Sequence, residues 1–400
     1  MPNFKYQVID AAGKTSTGVI DAASMADASR KLRADGKFVA SLSLDKGAGF
    51  LNIGGKKKLK TKELVLITRQ LASLLAAGIT IVRALDMLYQ QVDTKNSKII
   101  VGEVYESIQG GRTMSEAFKE QQGLIPNIMV SMVAAGEESG RLDEVMERLA
   151  EHFIKAQKLK NKLSSAMVYP KILAFVTFAV SWGLLTFLVP SITATIADLG
   201  GTLPGLTKVI IAISDSLTKF WYIYAALVVG AVVGFRLWRA SEKGQYQWAY
   251  LMIHLPIVGN MTKMTATAQF TRTVSTLLKS GISILQAVEI TEKSLDNIIL
   301  EKKLADARLE IRKGAALSKS IKNIEEFPPM VYAMTAIGEE SGTLDTILDK
   351  AADFFEDEAD AATTKMTAAL EPIMIIVMAV IVGLIVGGIA IPIFNMASFI

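Results

Sequence analysis

Thr68-Arg69-Gln70-Leu71-Ala72-Ser73-Leu74-Leu75-Ala76-Ala77-Gly78-Ile79 is matched about two hundred residues later by Thr271-Arg272-Thr273-Val274-Ser275-Thr276-Leu277-Leu278-Lys279-Ser280-Gly281-Ile282. Farther along, Gly136-Glu137-Glu138-Ser139-Gly140, followed by Leu142-Asp143, returns as Gly338-Glu339-Glu340-Ser341-Gly342, followed by Leu344-Asp345. Self-similarity over this length means two copies of one module. Each copy leads into its own long apolar segment, so the repeat also constrains how the chain crosses a membrane.

The chain has 400 residues, of which 51% are hydrophobic, and the apolar excess is concentrated. No charge occurs from Ile172 to Ala197, from Phe220 to Phe235, or from Pro372 to Ile400. A spanning helix needs roughly 20 apolar residues. The first and third runs meet that length. The second is shorter, but Arg236 and Arg239 can snorkel to the interface, and Trp221, Tyr222, Tyr224 and Trp238 suit an aromatic belt. Three spans are expected: 169–190, 220–238 and 372–394.

Charge orients them. Lys155, Lys158, Lys160, Lys162 and Lys171 precede the first span, and Arg236, Arg239 and Lys243 follow the second. The segment between, 191–219, carries only Lys208 and Lys219, and the tail 395–400 carries no positive residue. The positive-inside bias then puts the N-terminus in the cytoplasm, with the 191–219 segment and the C-terminus outside. The repeat argues the same way independently. Two copies of one polar module belong in one compartment, which requires an even number of crossings between them.

Residues 1–45 read as a small α+β unit. Phe4 to Ile9 alternates with period two, Thr15 to Ile20 returns as a hairpin, Met25 to Asp35 suits a helix, and Phe38 to Leu44 a closing strand. A linker at 46–62, rich in glycine and lysine, follows; its basic cluster reads as a solvated tether, or as a surface attracted to anionic lipid headgroups. The modules are 63–168 and 239–371. Both show helical spacing, as in Leu64, Ile67, Leu71, Leu74 and Leu75, and five or six short helices are expected in each. The fold class is thus mainly α: a polytopic membrane protein with two tandem cytoplasmic helical-bundle modules, three transmembrane helices and the N-terminal unit. Tyr169-Pro170 and Glu371-Pro372 stand at equivalent membrane junctions, where a proline is expected to bend a nearly continuous helix. Gly230 with Gly234, and Gly383 with Gly387, have the spacing of close helix packing in lipid.

Chemistry is sparse. Cysteine is absent, His152 and His254 are the two histidines, and neither near-match to a phosphate loop is complete. Phe50 stands where Gly55-Lys56 needs an earlier glycine, and Val8 stands there for Gly13-Lys14. No cofactor, nucleophile–base pair or nucleic-acid partner is expected, and the chain is read as no enzyme. Uncharged spans also argue against ion-coupled transport, although a transporter or protein-conducting pore stays as the competing class. The repeated acidic motif has two readings. In one it ends a helix, with Gly140 or Gly342 supplying positive φ and Ser139 or Ser341 and the acids satisfying freed donors. In the other, Glu137, Glu138 and Asp143, with Glu339, Glu340 and Asp345, form an acidic patch for a basic partner or divalent cation.

The layout, the Gly-Glu-Glu-Ser-Gly-x-Leu-Asp motif in both copies, Glu371-Pro372 at the second junction and Leu203-Pro204-Gly205-Leu206-Thr207 between the spans together resemble the general secretion pathway F family. These are the inner-membrane platform proteins of type II secretion and type IV pilus machines. The resemblance implies a hub between a hexameric cytoplasmic assembly ATPase and pilin or pseudopilin subunits in the membrane. It also implies contact with other inner-membrane machine components and assembly as a homo-oligomer.

Overall fold

In a computed structural model, the structure describes residues 3–9, 15–21, 31, 38–45, 56–192 and 205–397. It divides into two units, Met1–Lys57 and Lys58–Ile400.

In the first unit, β1 (Asn3–Ile9) is the central strand of an antiparallel sheet with the order β2-β1-β3, where β2 is Thr15–Asp21 and β3 Phe38–Asp45. Phe4 stands opposite Ile20 on one side and Leu44 on the other, and an irregularity between Gln7 and Val8 shifts the β1–β3 register. The helix expected at Met25 to Asp35 lies outside the described residues, apart from Lys31.

The second unit is helical. Its first module comprises α1 (Thr61–Ala76), α2 (Ile81–Gln91), α3 (Lys95–Gln109), α4 (Met114–Lys119), α5 (Asn127–Ser139) and α6 (Leu142–Ala166). There follow α7 (Val168–Gly183), which runs on through a π-helical turn at Leu184–Leu188, then α8 (Gly205–Lys219) and α9 (Trp221–Ala240). After α10 (Glu242–His254), the second module repeats the first: α11 (Val258–Lys279), α12 (Ile284–Glu292), α13 (Ile298–Arg312), α14 (Leu317–Ile321), α15 (Pro329–Ser341) and α16 (Leu344–Ala397).

Local signals explain the boundaries. The Thr94 hydroxyl accepts from Ser97 N–H, Thr113 and Glu116 form a capping box, and the Asn297 side chain accepts from the Ile299 and Leu300 amides. Gly78 and Gly281, at φ +76° and +80°, take the turn after α1 and α11 where a side chain would be strained. Leu64, Ile67 and Leu71 are buried, as their spacing predicts, against Val145, Met146, Leu149 and Phe153 of α6 in one contiguous core. A fully buried leucine contributes roughly 2 kcal/mol. The most extensive helix pairing in each module is its first helix against its last, α1 with α6 and α11 with α16.

Among the described residues, three helical stretches are long and apolar enough to cross a membrane: Leu142–Ile192, Trp221–Ala240 and Leu344–Ile391. The two module-to-span junctions differ. α6 ends at a turn on Met167, and Pro170 sits in the first turn of α7, where its missing N–H costs little. At the second junction the 54-residue α16 passes through Pro372 without a break in helix. The first junction is thus interrupted by a single turn residue, whereas the second is one continuous helix.

Candidate functional site

The repeated acidic motif closes α5 and α15. Gly140 and Gly342, at φ 69° and 70°, adopt the left-handed conformation, and the Arg141 and Thr343 amides each donate back to Gly136 and Gly338 carbonyls at 3.0 Å. The first glycine serves a separate purpose. A Cβ on Gly338 would stand 2.8 Å from Leu344 Cα, and one on Gly136 3.1 Å from Val145, so the absent side chains let the following helix pass close by.

Glu137 and Glu339 reach across the module. Glu137 accepts from the Met114 amide at 2.6 Å and from the Ser115 amide and hydroxyl, while Glu339 accepts from the Leu317 and Ser318 amides at 2.6 and 3.0 Å. Each carboxylate thus caps a short helix 22 or 23 residues earlier in the chain, where free N–H groups and the helix dipole favour an anion. The serines behave otherwise than expected. Ser139 and Ser341 donate to the Ala135 and Ile337 carbonyls instead of accepting from freed amides. Glu138 and Glu340 are exposed, and Asp143 and Asp345 lie in the first turns of α6 and α16. Among the described residues no group of three or more acids or histidines is arranged to hold a metal ion.

The paired junction residues do meet. Tyr169 Oη donates to Glu371 Oε1 at 3.4 Å, so Pro170 and Pro372 follow two residues in contact. The glycine pairs do not. Among the described residues, nothing beyond the helix's own neighbouring backbone lies within 4 Å of a Cβ built on Gly230, Gly234, Gly383 or Gly387, and α9 buries no residue. The spacing marks a smooth helix face but cannot name its neighbour, and within this chain none of the described residues supplies one. Close packing falls instead on Gly388, against which Ile210 of α8 is seated, with Thr207 Oγ1 donating to the Gly388 carbonyl at 2.7 Å.

The main charged cluster was not anticipated. Arg272, only 6% exposed, pairs with Asp349 at 2.5 Å, Asp353, and Glu356 at 2.7 Å along one face of α16. Burial opposes its charge, but Glu356 and Asp353 outweigh it and hold the guanidinium above its usual range. The same cluster ties the modules together, because Lys155 of α6 donates to Asp353 at 2.8 Å and Lys162 to Asp360. Asp353 is held below the carboxylate range: burial works against this, but bonds from Lys155 and Arg272 prevail. His152, on the same seam, is pushed down to about 4 by burial and by the nearby Arg272 charge, and its Nδ1 is buried without a hydrogen-bond partner. The spacing of Asp349, Asp353 and Glu356, at i, i+4 and i+7, was a readable signal of one acidic helix face.

A family model described as type II secretion system (T2SS), protein F matches residues 67–190 and again 270–392, the two copies found in the sequence. The chain belongs to this protein F family. A second model, the N-terminal domain of type II secretion system protein F, matches residues 1–43. The protein F family here includes relatives of two kinds. A type IV pilus assembly protein PilC of Thermus thermophilus is 36% identical, covering 99% of this chain and 98% of its own length. The Myxococcus xanthus PilC is 33% identical over 88% of this chain and 84% of its own. A type II secretion system protein F of Pseudomonas aeruginosa is 30% identical over 99% of both chains.

Proposed function

We propose that this protein is the inner-membrane platform of a type IV pilus or type II secretion machine. It is a non-enzymatic hub through which a hexameric cytoplasmic ATPase drives pilin or pseudopilin subunits out of the bilayer into a growing filament. The observation that carries this reading is protein F family membership across both copies of the module. The geometry supports it: each module is built around a helix that leads into a span, and the two such helices are cross-tied at Lys155–Asp353 and Tyr169–Glu371. Force applied to one module therefore reaches both spans.

In this reading both modules face the cytoplasm, as does the N-terminus, and residues 191–219 and the C-terminus face outward. Residues 1–45 are an α+β docking unit. The wholly exposed α9 and the glycine faces at Gly230, Gly234, Gly383 and Gly387 are offered to lipid, to pilin spans, to other inner-membrane components or to another copy. Exposed Glu138 and Glu340 are the motif's remaining candidates for a basic partner. Removing the chain from cells should abolish filament assembly while leaving the ATPase able to turn over ATP. Normal filaments without the chain, or solute flux through liposomes holding the chain alone, would overturn the reading.

A further inference from the structure

The two modules differ in what covers their first helix. In the second, Thr265, Ala268, Gln269, Arg272 and Thr273 of α11 face His152, Lys155, Leu159 and Leu163 of α6. The positions 203 residues earlier are Lys62, Val65, Leu66, Arg69 and Gln70 of α1. All five line an open, mostly apolar cleft of about 430 Å³ on the first module. Leu66 is 43% exposed there and Arg69 is exposed, whereas Arg272 and Ala268 are buried. Among the described residues, one surface, present twice, is covered once.

The helix that does the covering is also present twice. The residues of α16 equivalent to His152, Lys155 and Ala156 are Phe354, Asp357 and Glu358, and all three are exposed, Phe354 by 42%. We propose that the cleft on the first module receives the Phe354 face of α16 from a second copy of this chain. The contact between chains would repeat the one that α6 makes with α11 inside each chain. Phe354 supplies the apolar group that Val65 and Leu66 lack, and Asp357 and Glu358 meet Lys62 and Arg69, so the charges are complementary. Inside the chain the lysines of the covering helix reach acids of α16, Lys155 to Asp353 and Lys162 to Asp360. The two faces are different surfaces, so the contact is heterologous and generates a ring when its rotation closes. The proposal rests on the platform reading and gives its self-association a place.

The chain contains no cysteine, which makes the test direct. Two differently tagged full-length chains, one carrying Leu66→Cys and the other Phe354→Cys, are co-expressed in membranes and mildly oxidised. A disulfide dimer bearing both tags is expected. It should be missing when Leu66→Cys is replaced by Ile99→Cys, exposed elsewhere on the same module. Arg69→Glu should weaken the crosslink, and Asp357→Arg in the partner chain should restore it. A mixed pair no better than the Ile99 control, or crosslinking of Leu66→Cys only to itself, overturns the proposal, as does a monomeric native mass. Complementation of filament assembly by the same variants reports separately on the platform reading.

Discussion

The carboxylate of Glu339 lies 2.6 Å from the amide nitrogen of Leu317, at the start of a five-residue helix that has no side-chain cap of its own. Bonds from backbone N–H groups to a carboxylate contribute about 1–3 kcal/mol. Glu339→Ala should lower the unfolding free energy by that amount, and Glu339→Gln by less, since the amide oxygen still accepts. Glu137→Lys and Glu339→Lys should go further, placing a cation where the helix dipole favours an anion, and impair filament assembly while the protein still inserts. Thermal unfolding in detergent, beside a membrane-fraction assay, measures both.

The glycines of this chain separate into two kinds by what surrounds them. Gly338→Ala sets a methyl against the Leu344 backbone and should cost roughly 1–3 kcal/mol. Gly383→Ala meets nothing within 4 Å and should stay within about 0.5 kcal/mol. Unfolding midpoints of the two variants in parallel decide whether the spacing or the contact matters.

Arg272 and Arg69 hold equivalent places in opposite surroundings. Arg272→Leu strands Glu356 beside a buried face and leaves Asp349 only Lys279, and a loss of about 2 kcal/mol or more is expected. Arg69→Leu, in chains dispersed to monomers, should change stability by less than about 0.5 kcal/mol. Equal losses would mean that the two modules are covered alike.

His152 adds a pH dependence whose sign follows from its lowered pKa. The folded protein keeps the imidazole neutral down to about 4, whereas the unfolded chain protonates it near its ordinary value of 6.5. Between these values the unfolded state binds more protons, so this contribution to stability is complete above about pH 6.5 and is lost as pH falls toward 4. His152→Leu should flatten the change in unfolding midpoint between about pH 7 and pH 5.

Much of this was legible in the residues. Charge-free runs and the duplicated Thr-Arg and Gly-Glu-Glu-Ser-Gly stretches carry the spans and the modules, because burial demands periodicity and lipid excludes charge. Gly140 and Gly342 were readable as helix ends because positive φ favours glycine. What the sequence hid depends on partners distant along the chain. Glu137 and Glu339 look like surface acids until the fold brings Met114 and Leu317 to them. Gly388 has no partner in its local spacing, because Ile210 arrives from a different helix. Arg69 and Arg272 are the same letter in the same motif, yet one is exposed and the other is buried between the carboxylates of α16 and the side chains of α6.

The placement of both modules on one side of the membrane is tested most directly by single cysteines at Lys98, Asp306 and Lys208, all exposed positions, in this cysteine-free chain. A membrane-impermeant maleimide applied to spheroplasts should label the Lys208 position at once, and the other two only after the membrane is opened. If the Lys98 and Asp306 positions react from opposite sides of the bilayer, the account is contradicted.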